Sequence, residues 1–310
     1  MIGVRGQGMP DVHAGSQQTR AAVWGLLAYL ESPYNAEQVI RKHYPDGGGP
    51  YSVQAVLEAY HAAGLSNPPQ PLDIADDDAV RQAALYMSTA IRHGRAYFDA
   101  VAASPTTVRP TLLYYGCLSL AKALIAGTFA LTGIPDIHGL TIDGTVVKIK
   151  SRGEFATFHD ALSLLVEIHK GGRRFELDTI CASIPRVRAA CFRVHGYGWP
   201  PIVASFADET SLASRFEDTE GVSVYTHILA AEMIAAYSLG MWARYDPVRW
   251  EETLRGGTSG DGYIYLTAID QIERDFPLQV LNTITGTKHY FRPVTSEDVR
   301  AGLWDLGQLF

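Results

Sequence analysis

Arg109, Lys122, His138 and Arg244 each join a chemically capable side chain to a position that the surrounding sequence singles out. His138, followed by Gly139, can act as a general acid or base near neutral pH, or it can close a turn. Arg109 stands before Pro110 at the head of an apolar run. There it can join exposed helix N–H groups in holding a phosphate, or pair with an acid from the first turn of a neighbouring helix. Lys122 is the one charge inside that run. It can hold an anion or an ion-pair partner, and it can equally lay its stem on apolar surface and place the ammonium in water. Arg244, before Tyr245, ends a second apolar run, where the helix dipole alone favours a cation. Trp250, beyond Pro247, is expected to pack over it.

Other chemistries lack their signatures. No HxH, HExxH or clustered carboxylates are present, so neither a metal nor any other cofactor is expected. Cys117, Cys181 and Cys191 form no CxxC pair, which fits a reducing cytoplasm. The glycine-rich pieces Gly47–Gly49 and Gly256–Gly257 are not strand-to-helix turns, and no GxxxxGK[ST] or GxSxG occurs. A net charge of −7 over 310 residues argues against a generally basic nucleic-acid surface, while leaving a local one open. The first residues lack a signal-peptide pattern. The stretch Thr111 to Leu131 is broken by Lys122 and two glycines, and reads as a buried core helix rather than a membrane span.

The elements that would position these residues are mostly helical. Residues 1–16 read as a flexible N-terminus, followed by a short helix from Gln17 that ends near Ser32-Pro33. Asn35 opens a helix to His43, Asp46 to Pro50 is a loop, and Tyr51 to Ala63 returns to helical periodicity. Pro68, Pro69 and Pro71 form a stiff connector. Asp76, Asp77 and Asp78 mark the start of a long helix to Ser104-Pro105. Pro110 to Leu131 follows as the core helix, with Gly116, Ala123, Gly127 and Ala130 on one face admitting a close partner. Leu140 to Lys150 switches to period two around Asp143-Gly144, a β-hairpin signal. Phe158 to His169 is helical and Arg173 to Asp208 mixed, with a strand at Ile202–Phe206. Val222 to Arg244 is a second apolar helix, and Tyr263 to Phe276 is an amphipathic one. Tyr290-Phe291 reads as a short strand and Ser296 to Leu309 as a last helix. The expected fold is therefore mainly α (α+β), a helical bundle in one domain over residues 17–310, with a β-containing insertion at about 139–220.

Several of these segments resemble the YaaC-like family. They are Leu30-Glu31-Ser32, Arg109-Pro110-x-Leu-Leu-Tyr-Tyr-Gly116, Leu120-Ala-Lys-Ala-Leu124, His138-Gly139-Leu140 and Arg244-Tyr245-Asp246-Pro247-x-x-Trp250. That resemblance implies a fold without an assigned reaction. Inside it, Tyr114-Tyr115, Leu120 to Leu124 and His138-Gly139-Leu140 are similar to the second-helix region of HEPN domains, helical modules found in nucleotidyltransferase partners, toxins and defence ribonucleases. Many HEPN ribonucleases place an Arg and a His with four to six residues between them, and six residues separate Arg152 from His159 and Arg188 from His195. The resemblances imply His138, Arg109 and Arg244 as catalytic candidates and Lys122, Tyr115, Arg152 and His159 as ligand-binding candidates. They imply a binding or regulatory module for nucleotide, RNA or protein, or alternatively a metal-independent ribonuclease acting as a toxin or defence effector. A homodimer and no membrane association complete the expectation.

Overall fold

A computed structural model describes residues 12–43, 70–132, 137–150, 152–165, 174–196, 213–217, 223–256 and 260–286. Ten helices lie among them: α1 (Val12–Tyr29), α2 (Pro33–His43), α3 (Asp77–Ala103), α4 (Arg109–Gly127), α5 (Glu154–Leu165), α6 (Leu177–Ser183), α7 (Pro185–His195), α8 (Ile228–Tyr245), α9 (Pro247–Leu254) and α10 (Asp261–Thr285). The strands are β1 (Gln70–Pro71), β2 (Leu131–Thr132), β3 (Leu140–Asp143), β4 (Val146–Ile149), β5 (Arg174–Glu176), β6 (Ala213–Glu217) and β7 (Ser223–His227). They pair antiparallel as β1-β2, β3-β4-β5 and β6-β7. The fold is thus mainly α with a small β-containing insertion between the two most buried helices, α4 and α8. None of the described helices is long and apolar enough to cross a membrane.

Local chemistry explains where the long helices begin. Asp76 caps α3, its Oδ1 accepting the N–H groups of Asp78 and Ala79 at 2.9 and 3.2 Å, and Asp77 and Asp78 add charge at the positive dipole end. Pro110 occupies the first turn of α4, where no N–H is required. The partner admitted by the small residues of α4 is α3. A Cβ on Gly116 would lie 2.8 Å from the Phe98 ring, and one on Gly94 2.8 Å from Leu120 Cδ2. Helix α8 crosses α4 at Gly240, where a Cβ would stand 3.2 Å from Pro110 O and where the Thr111 hydroxyl donates to Gly240 O.

Several sequence expectations shift. Helix α1 starts at Val12, five residues before Gln17. Helix α4 stops at Gly127 rather than Leu131, because Ala130 turns the chain at a φ of +48° and Leu131 and Thr132 pair with Pro71 and Gln70. Pro71 is therefore part of a ladder, and Leu72 N–H extends it by donating to Ala130 O at 2.7 Å. The expected helix from Val222 begins only at Ile228. Val224, Tyr225 and Thr226 are residue types that favour a strand, the backbone of Ser223–His227 pairs with β6, and His227 ends the strand by capping α8, its Nδ1 accepting from Leu229 N–H at 3.1 Å. In the hairpin, Gly144 takes the first central turn position at a φ of +60°, as a type II′ turn requires, while Asp143 closes the ladder opposite Val146. Helix α10 runs beyond Phe276 to Thr285 through Pro277, losing one backbone bond to Glu273. The expectations for residues 1–11, Asp46–Pro50, Tyr51–Ala63, Ile202–Phe206, Tyr290-Phe291 and Ser296–Leu309 lie outside the described residues.

The bundle interior contains one acid out of keeping with its surroundings. Glu232 on α8 is 0 % exposed, and neither carboxylate oxygen has a hydrogen-bond partner among the described residues. Burial, followed by the charge of Asp275, pushes its pKa well above the usual value of 4.5. A folded-state pKa above the unfolded one favours folding less as pH rises past the unfolded value. Glu232→Gln should therefore gain stability over the native chain by about 1.4 kcal/mol per pH unit above about pH 4.5, for as long as the folded carboxyl stays protonated. Urea denaturation of both proteins from pH 5 to 8 checks this, and a constant difference would refute it. Gly116→Val should destabilise by about 1–3 kcal/mol through overpacking against Phe98, read as a lower denaturation midpoint.

Candidate functional site

From Leu112 to its end, helix α4 is buried except at Leu112, Tyr115, Ser119 and Lys122. The 3–4-residue spacing places these four on one stripe. The candidate site is built on this stripe, because two other elements bring polar side chains to it. Lys122 Nζ lies 2.5 Å from Oε1 of Glu154, the first residue of α5, whose side chain is only 7 % exposed. Glu154 Oε2 in turn lies 3.9 Å from His138 Nδ1. Across the stripe, Arg244 in the last turn of α8 donates from Nη1 to the Tyr115 phenol oxygen at 2.8 Å.

The backbone fixes His138 beside Glu154. The carbonyls of Ile137 and His138 accept the N–H groups of Glu154 and Phe155 at 2.8 and 3.1 Å, so the segment carrying His138 terminates α5 from outside the helix. That crossing is tight. Gly153 has a φ of +122°, and a Cβ on it would lie 2.6 Å from Ile137 O and 2.8 Å from Gly139 Cα. Gly139 itself has a φ of +77°. Two glycines at the crossing are what allow the histidine segment to lie on the helix start.

Aromatic rings fill the space between these polar groups. Tyr97 of α3 stacks on Tyr115 with centroids 5.7 Å apart and planes at 27°. Tyr114 packs edge-on against His138 at 5.8 Å and against Tyr237 of α8 at 5.2 Å. The Tyr237 hydroxyl donates to Leu140 O at 3.1 Å and ties the hairpin to the bundle. The Tyr114 hydroxyl is buried and has no partner among the described residues. Burial, then its neighbours Tyr237 and Glu154, push its pKa upward, so it stays protonated. The site thus offers two cations, a half-exposed imidazole, a buried carboxylate and a run of tyrosine rings.

Four of the expected residues, His138, Arg244, Lys122 and Tyr115, come together here. Arg109 is engaged elsewhere: its Nη2 lies 2.5 Å from Glu273 Oε2 and 2.9 Å from Asp270 Oδ1, both on α10. Arg20 joins the same Glu273 at 2.7 Å and donates to Phe98 O. The acid-pairing reading of Arg109 thus describes its geometry, although the acids sit inside a helix. Arg152 is exposed, whereas His159 is 1 % exposed, with Nδ1 3.2 Å from Asp160 Oδ1 and Phe155 and Phe175 beside it. The pair therefore presents no joint surface. Arg188 donates to Ala182 O, and His195 lies 3.0 Å from Asp261 Oδ1. Trp250 is buried and donates to Thr106 O, while Arg244 lies over the Tyr245 ring at 4.8 Å. Tyr97, Tyr114, Glu154 and Tyr237 were not among the expected residues. Only Tyr114 carried a sequence signal, through its place beside Tyr115. Among the described residues no group of three His, Cys, Asp or Glu side chains is placed to hold a metal ion.

A mainly helical bundle with small antiparallel sheets, carrying a polar stripe on its most buried helix, is the class that this geometry defines. The chain belongs to the YaaC-like protein family, whose model matches residues 53–217 and 200–284. No curated protein and no solved structure matches it.

The crossing of Gly153 over Gly139 makes a direct test of how the site is held. Gly153→Ala should lower stability by about 2 kcal/mol or more, because the backbone conformation and the contact with Ile137 O both oppose a side chain. Gly144→Ala, a positive-φ glycine with open space around it, separates the two effects and should cost only about 1 kcal/mol. Equal thermal shifts for the two variants would show that the crossing is not tight.

Proposed function

We propose that this protein is a binding module for a small anionic ligand with a planar ring, a nucleotide or a short single-stranded RNA segment, held at the Tyr115 stripe. The observation that carries the reading is the convergence of Arg244, His138 and Lys122, from α8, the 137–139 segment and α4, around Tyr115. A phosphate is matched by Arg244, whose partners are the neutral phenol of Tyr115 and the Tyr245 ring. A planar base is matched by the half-buried faces of Tyr97 and Tyr115, since every base offers a face for stacking. The net charge of −7 supports a small ligand over a long polyanion, which the remaining surface would repel.

Fluorescence anisotropy with labelled nucleotides and a short labelled RNA tests this. Saturable binding that weakens with added salt, and by about tenfold in Arg244→Ala, is expected. Absence of binding to every probe would sink the reading.

One observation favours a second reading, a HEPN-like metal-independent ribonuclease acting as a toxin or defence effector. His138 and Arg244 meet the same tyrosine, and an Arg and a His in one groove are what such an enzyme requires. Incubation of purified protein with structured and unstructured RNA decides it: cleavage lost in His138→Ala supports the enzyme, and intact RNA rejects it. The HEPN likeness also implies a homodimer, which light scattering on the purified protein tests.

A further inference from the structure

Resting on the binding reading above, we propose that the interior of the site reads the hydrogen-bonding edge of a nucleobase, with the Tyr114 hydroxyl as donor and the Glu154 carboxylate as acceptor. The starting point is the unmet demand at Tyr114. Its phenol oxygen is shut from solvent and has no hydrogen-bond partner among the described residues. Leaving such a group unpaired in an interior costs about 1–3 kcal/mol. Tyr237, whose ring stands 5.2 Å away, meets the same demand by donating to Leu140 O. Among the described residues Tyr114 has no comparable acceptor, although its ring is gripped by Tyr115, His138 and Tyr237.

Among the rings that pack on Tyr114, His138 is the one on an irregular segment. Of the three rings in contact with it, Tyr237 is buried and Tyr115 partly buried, while the His138 side chain is 52 % exposed. His138 sits on an irregular segment, and its Nδ1 is 3.9 Å from Glu154 Oε2, longer than a hydrogen bond. Rotating that one side chain would uncover the part of the Tyr114 ring on which it packs, without disturbing a helix. A ligand group that took its place would meet the Tyr114 O–H donor and the Glu154 carboxylate, since His138 borders both. A carboxylate has up to four acceptor positions, so Glu154 can accept from a ligand as well as meet Lys122.

The pairing excludes a phosphate from this inner position, since an anion next to Glu154 is repelled. It suits a flat group that presents a donor next to an acceptor, which is the Watson–Crick edge of any of the four bases. The ring would lie among the tyrosines, and the phosphate would remain at the rim with Arg244. The inner donor and acceptor distinguish nucleotides from other phosphates rather than one base from another.

Calorimetric titration of wild type and Tyr114→Phe with the four nucleoside 5′-monophosphates and with ribose 5-phosphate tests the proposal. The nucleotides should bind at least about tenfold more tightly than ribose 5-phosphate, and Tyr114→Phe should remove about tenfold for nucleotides and nothing for ribose 5-phosphate. Because the hydroxyl has no internal partner, the unliganded variant should melt at the same temperature as wild type or higher. If nucleotides bind but Tyr114→Phe binds them equally, or ribose 5-phosphate binds as well as they do, the base-edge proposal falls and the anion-binding reading stands. If nothing binds, both fall. A lower melting temperature for unliganded Tyr114→Phe would show that the hydroxyl is structural and would likewise overturn the proposal.

Discussion

Helix α4 is enclosed by α3, α8 and α10, and this enclosure is the constraint from which the site follows. Four close approaches make it possible, each at a glycine: Gly94, Gly116 and Gly127 on the α3 side and Gly240 on the α8 side. Where backbones pack this closely, side chains between them must be small or apolar, and polar groups are confined to the remaining arc. That arc holds Tyr115, Ser119 and Lys122. The location of the polar stripe is therefore a product of core packing, and residues on α8 and at the start of α5 reach it because they border the same arc.

The insertion is joined to this stripe by backbone bonds as well as side chains. The 137–139 segment supplies carbonyls to the first N–H groups of α5, and Gly139 O also accepts from Lys150 N–H at the end of the hairpin. Tyr237 holds Leu140 from the bundle side, and the Trp242 indole N–H donates to Gly144 O at the hairpin turn. The hairpin is thus fixed at its turn and at its base by the same helix, α8, that carries Arg244. His138 and Arg244 share a scaffold although they lie far apart in the chain, and movement of α8 would displace both sides of the stripe together.

The helices were legible in the sequence where local rules decide them. Asp76 as a cap, Pro110 in a first turn and the period-two run at Leu140 to Ile149 all operate within a few residues. The departures arise where tertiary pairing overrides a local pattern. Leu131 is as apolar as the helix before it, yet it pairs with Pro71, and Val224 to Thr226 were absorbed into a helix because their partner strand β6 could not be seen. The site was legible in the same degree. His138, Lys122 and Arg244 stand out by type and place, and Tyr115 through the family resemblance. Glu154 did not, because its role depends on meeting Lys122 from another element, and no periodicity encodes that meeting. The Arg152 and His159 spacing failed for a related reason: spacing says nothing of burial, and one residue faces water while the other faces Phe155 and Phe175.

Charge balance distinguishes the arginines that hold the fold from Arg244, the one proposed to meet a ligand. Arg20 and Arg109 share Glu273, with Asp99 and Asp270 beside them, so two cations meet three acids in a partly buried network. Removing either cation would leave Glu273, 10 % exposed, short of a counter-charge, which is the costly direction for a buried pair. Arg244 is placed differently. Among the described residues it meets a phenol and an aromatic face and no carboxylate, so its full charge remains available at the edge of the stripe. Lys122 is intermediate, since its charge meets that of Glu154. A site assembled in this way has its uncompensated positive charge at the rim and its acceptor within, an order suited to a ligand that is anionic at one end and a hydrogen-bonding ring at the other.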